Sequence, residues 1–91
     1  MSKEYSYPLD FDWTTEEIIK VVSFYETIEK VYEQGVTGET FMKKYRDFKT
    51  VVRSIAEEKT VFREFEEVSG YAAYPAVKAA KEGQTPIKLR K

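Results

Sequence analysis

The chain has 91 residues, enough for one domain and too few for two. It contains neither cysteine nor histidine, which excludes disulfides, thiolate metal sites and every Ser-His or Cys-His catalytic device. A net charge of −1, with 34 % of residues charged, gives no overall argument for nucleic acid, a membrane surface or an acidic partner.

Taken in chain order, residues 5–13 alternate strictly. Tyr5, Tyr7, Leu9, Phe11 and Trp13 are separated by Ser, Pro or Asp. That period of two predicts an extended segment with one buried face. Pro8 disfavours a central strand, so the expectation is an arm of roughly 30 Å laid along a helix pair. Thr14 and Glu17 have capping-box spacing, with Trp13 and Ile18 as a hydrophobic staple. A first helix is therefore expected over about 15–34, stopped by Gly35. Its apolar face is Ile18, Val21, Val22, Tyr25, Ile28 and Tyr32, widened by Phe24 and Val31, so it should touch two neighbours.

Phe41, Tyr45, Phe48 and Val52 form a narrow apolar line on a second helix, 38–52, that starts after Thr37. Ser54 and Glu57 repeat the capping-box spacing and open a third helix, 55–69, with Val61, Phe62, Phe65 and Val68 inward. Gly70 ends it. A fourth helix is expected over 73–82, with Pro75 tolerable only in its first turn. Residues 84–91 look like a frayed tail, although Ile87 and Leu89 alternate and have the pattern to dock. The fold class is thus all-α: a small three- to four-helix bundle with an extended N-terminal arm, forming a single domain over 1–91.

Two features of the helices invite functional readings. Charge is segregated by element. Residues 14–35 and 54–70 each hold five acids and two bases, 36–53 hold five bases and two acids, and 71–91 hold five bases and one acid. The simpler reading is that neighbouring elements complement one another. The sharper one is that Lys43, Arg46, Lys49 and Arg53 on the second helix form a basic stripe for phosphates. Four charges without a Gly-rich cradle make nucleic acid the lesser alternative. Two carboxylates, Glu29 and Glu58, fall on apolar arcs. A buried pair of acids is a conceivable acid/base or metal site. The preferred reading is structural: Glu58 lies in a first helical turn, and Glu29 has tyrosines or arginines to accept from.

The chain also resembles a known family. Tyr7-Pro8-Leu9-Asp10, then Asp12-Trp13-Thr14-Thr15-Glu16-Glu17, resemble the opening of the bacterial uncharacterised protein family 0223. Ser54 with Glu57-Glu58-Lys59, Glu64-Phe65-Glu66, and Ser69-Gly70-Tyr71 with Tyr74 are similar to the rest of its pattern. The resemblance implies a compact helical fold and a Gram-positive bacterial origin, and it implies no activity. Ala72 and Ala73 stand where that pattern leads us to expect a serine capping the fourth helix.

The functional expectation is a non-enzymatic, cytoplasmic protein-interaction module or a small homo-oligomeric structural protein. It has no catalytic residues, no cofactor, no metal and no membrane span, and its partner is an unknown protein or itself. The aromatic residues Tyr5, Tyr7, Phe11, Trp13, Tyr71 and Tyr74 are its candidate interface.

Overall fold

The computed structural model describes residues 5–90; residues 1–4 and 91, included in the single-domain reading, lie outside the described residues. Four helices follow one another: α1 (Thr15–Glu33), α2 (Gly38–Lys49), α3 (Ile55–Ser69) and α4 (Tyr74–Lys81). The all-α class holds, and each start follows from a local device.

Thr14 caps α1 with a full capping box: its hydroxyl accepts from the Glu17 N–H, and the Glu17 carboxylate accepts from the Thr14 N–H. Thr37 caps α2 by accepting from the Thr40 N–H. Ser54 supplies the first half of the same device to α3, its hydroxyl accepting from the Glu57 N–H at 3.0 Å. Ala73 gives α4 no side-chain cap, in keeping with the missing serine; Pro75 sits in the first turn, where its absent N–H costs nothing.

α2 ends at Lys49, three residues short of the expected limit of 52. The Thr50 hydroxyl donates back to the Asp47 carbonyl at 2.6 Å, a local bond that competes with the helical ladder. α3 ends as expected, on Gly70 at φ 80°, a left-handed position that costs a Cβ-bearing residue most.

α1 is the centre of the bundle. Phe24 meets Phe41, Phe48 and Tyr45 of α2 and Phe62 of α3, and Phe62 stacks in turn on Phe48. Tyr25, next along α1, stacks on Phe65 of α3 with centroids 4.6 Å apart. This explains the unusual width of the apolar arc: α1 serves two neighbours at once. α2 packs in addition against α4, and Ala76, Val77, Ala79 and Ala80 of α4 are buried.

Three expectations are corrected. Val68 does not point inward; it is exposed near the end of α3, where its position lies at the margin of the arc set by Glu58, Val61, Phe62 and Phe65. The tail does not fray. Ile87 is fully buried and forms an antiparallel bridge with Val36, the two exchanging backbone hydrogen bonds of 2.9 and 2.6 Å, and the Leu89 N–H reaches the Val31 carbonyl at 3.1 Å. The arm, finally, is extended only at its start. Its outer half turns, so the alternation does not bury Leu9 and Phe11.

Candidate functional site

The first half of the arm is fixed to its own bundle. The Tyr7 ring lies over Tyr25 and Phe65, with centroids 5.2 and 6.2 Å away, capping their stack. The Tyr25 hydroxyl donates to the Pro8 carbonyl at 2.8 Å. Tyr5 and Tyr7 both donate to the carboxylate of Glu29, Tyr7 at 3.0 Å. Glu29 is 1 % exposed, so these donors replace water that it has lost. Burial first, and then the Glu29 carboxylate, push the Tyr5 phenol up.

Beyond Pro8 the chain turns on Asp10. The Asp10 carboxylate accepts from the Asp12 N–H at 2.8 Å and its carbonyl accepts from the Trp13 N–H at 3.1 Å. This Asx turn satisfies the backbone locally and presents the side chain between the two aspartates outward. Phe11 is therefore fully exposed and Leu9 is 46 % exposed, flanked by the exposed Asp10 and Asp12. Trp13 folds back against the core. A groove of about 410 Å³ runs between this turn and α3, with Glu57, Thr60 and Glu64 on its helical side. The turn is thus an apolar knob in an acidic setting.

A second feature lies between α2, α3 and α4. Here a cleft of about 670 Å³ is lined by Tyr45, Tyr74, Pro75 and Glu82, with the buried Val77 at its base. Lys78 and Lys81 stand at its mouth, and the Lys81 ammonium sits 5.7 Å from the centre of the Tyr45 ring. Glu58 closes the inner end. It is 5 % exposed and accepts from Lys49 Nζ at 2.6 Å and from the Tyr45 hydroxyl at 3.1 Å. Burial, then the Glu58 carboxylate, push the Tyr45 phenol up to about 12; the same two causes raise Tyr74.

Each expected residue can now be placed. Of the aromatic set, Tyr5, Tyr7 and Trp13 serve the bundle. Tyr71 does too, stacking on Tyr32 with centroids 5.0 Å apart. Phe11 and Tyr74 are exposed, one on the knob and one on the cleft. The basic stripe divides: Lys43 and Arg46 face solvent, Lys49 is paired to Glu58, and Arg53 Nε donates to the Thr50 carbonyl at 3.2 Å. Glu29 and Glu58 sit in separate tyrosine clusters. No group of three or more His, Cys, Asp or Glu able to hold a metal ion occurs among the described residues.

Leu9, Lys78 and Lys81 were absent from the expected interface. Two signals point to them in retrospect: Asp10 and Asp12 have turn chemistry that overrides the alternation, and Lys78 and Lys81 are three apart, on one side of α4.

A family model described as "Uncharacterised protein family (UPF0223)" matches residues 4–88. The chain belongs to this family. Among its UPF0223 relatives, a protein of Lysinibacillus sphaericus (strain C3-41) is 61 % identical over 79 residues, covering 87 % of this chain and 83 % of the relative. One from Bacillus mycoides (strain KBAB4) is 56 % identical over 79 residues, covering 87 % of this chain and 89 % of the relative. A third, from Streptococcus sanguinis (strain SK36), is 51 % identical over 92 residues and covers both chains completely. The UPF0223 relatives are bacterial, and the family name carries no chemistry, so a functional reading rests on the geometry. No helix among the described residues is long and apolar enough to cross a membrane.

Proposed function

We propose that this UPF0223 protein is a single-domain, non-catalytic protein-interaction module of the bacterial cytoplasm, and that its contact surface is the turn of the arm. One observation carries the reading. Phe11 is fully exposed on a turn that the Asp10 side chain holds in place. A large apolar side chain fixed in water, next to exposed Leu9 and an open groove, is what an interface anchor requires. The arm's inner half is bolted to the bundle, so the knob is preorganised and binding costs little ordering entropy.

The non-catalytic part of the reading draws on the side chains. The chain has no histidine or cysteine, and its two buried carboxylates are engaged by tyrosine hydroxyls and a lysine. The cysteine-free composition fits a reducing compartment.

The test is site-specific photo-crosslinking in the native host. A photoreactive residue replaces Phe11 in one strain and the exposed Glu33, at the far end of α1, in another. The reading expects a discrete protein adduct from position 11 and none from position 33. No adduct from position 11 at native expression level overturns it.

A further inference from the structure

The knob and the cleft match in apolar character and in charge. The knob is apolar at its tip, Leu9 and Phe11, and acidic at its base, Asp10 and Asp12. The cleft is aromatic and apolar inside and carries Lys78 and Lys81 at its mouth. Its volume of about 670 Å³ falls within the range of pockets that hold a molecule far larger than one phenyl ring. Among the described residues neither Lys78 nor Lys81 forms an ion pair: Glu82 lines the cleft beside them without closing one, and Glu58 is engaged by Lys49. We infer that the Leu9–Asp12 turn of one chain docks into the α2–α4 cleft of a second copy, Phe11 entering between Tyr45 and Tyr74 while Asp10 and Asp12 meet Lys78 and Lys81.

The knob does not fill the cleft of its own chain. The knob's groove uses Glu57, Thr60 and Glu64 of α3, whereas the cleft uses Glu58. Glu58 lies within the buried face of α3, whereas Glu57, Thr60 and Glu64 lie about 100° or more from it around the helix, beyond Val61 at the margin. Tyr7 and Pro8 also anchor the arm on the α1–α3 side. The knob that can reach this cleft is therefore that of another molecule, and it has an apolar tip and acidic flanks to match the lining.

The contact is heterologous: each molecule offers one knob and one cleft. This permits a decisive mixing experiment. F11A removes the knob, and K78E/K81E reverses the mouth of the cleft. All three positions are exposed, so the variants should fold, as circular dichroism can verify; K78E alone is a milder second variant. Sedimentation equilibrium of the full chain at low salt is expected to show a mass that rises with concentration. Each variant alone should be monomeric, with association weakened about 10- to 100-fold, as for loss of a central anchor. An equimolar mixture of the two should associate again, because one molecule keeps a cleft and the other a knob.

The inference deepens the interaction reading and rests on it, but the two fail differently. A wild-type chain that stays monomeric overturns self-docking. The interaction reading then survives if the position 11 adduct contains a different protein, and falls with it if there is no adduct. Association that persists in F11A, or a mixture that stays monomeric, also overturns self-docking.

Discussion

Glu58 shows how much a single side chain can commit this small core. The carboxylate is 5 % exposed and depends on Lys49 and the Tyr45 hydroxyl for what water no longer supplies. Glu58→Ala leaves the Tyr45 hydroxyl without its acceptor and opens a small void, a loss of about 2–4 kcal/mol. The melting temperature should fall by roughly 10–20 °C for a domain of this size, read by far-ultraviolet circular dichroism; a fall of only a degree or two means the carboxylate is dispensable to the fold. The same cluster sets a pH limit. Tyr45 ionises near the ordinary 10 when unfolded and at about 12 in the fold, raised by burial first and by Glu58 second. Between those values the folded form binds more protons than the unfolded one, so stability declines as pH rises. Below 10 the contribution is fully present, and it is lost by about 12. Tyr5, Tyr25, Tyr32 and Tyr74 are raised as well, with burial the largest cause in each, so they act in the same direction. Melting temperatures should be flat from neutral pH to about 9.5 and then drop, and Tyr45→Phe should drop less steeply. An identical slope in the variant would remove Tyr45 from this account.

At the scale of elements, the tail after α4 is the least expected stabiliser. Ile87 is fully buried, and its bridge to Val36 closes the gap between α1 and α2. Ile87→Ala should cost about 2–5 kcal/mol. Gly38→Ala reaches the same seam from the other side, because a Cβ there would stand 2.7 Å from the Gln84 carbonyl oxygen. Both variants should melt earlier and speed hydrogen exchange at the Val36, Ile87 and Leu89 amides; protection unchanged in Gly38→Ala would show that the tail adjusts freely. The helices themselves were legible because their signals are local. Thr14 with Glu17, Thr37, Ser54 and Gly70 each act within a few residues, and the period of the apolar face does the rest. The tail was half legible: the alternation of Ile87 and Leu89 marks residues able to dock, but the partner Val36 lies about fifty residues away and no local signal names it. The knob was half legible. Phe11 was identified as an interface residue, but the alternation implied a buried face that the Asx turn at Asp10 reverses. Of the cleft only Tyr74 was named among the interface residues: Tyr45 and Lys81 come from α2 and α4, and only the tertiary fold brings them beside it.

For the whole molecule, charge segregation has two consequences that salt separates. Acid-rich α1 and α3 alternate with base-rich α2 and the C-terminal region. Within the fold these charges are mostly exposed, and exposed pairs contribute only about 0–1 kcal/mol each. Among the described residues, the pair reaching into the interior, Lys49 with Glu58, is partly shielded from ions by burial. With a net charge of −1 there is also little general repulsion for salt to relieve. Folding stability should therefore be nearly indifferent to ionic strength. Association between a knob based on Asp10 and Asp12 and a cleft fronted by Lys78 and Lys81 should not be, because those groups are solvent-exposed before contact and attract across a screened gap. The screening length falls from roughly 30 Å at 0.01 M to about 3 Å at 1 M. Raising salt over that range should leave the melting temperature of a dilute, monomeric sample within about 2 °C while weakening association several-fold. The apolar insertion of Phe11 persists at high salt, so association should weaken without vanishing. Measuring both quantities on one preparation distinguishes this arrangement from simple apolar aggregation, in which added salt would strengthen the contact instead.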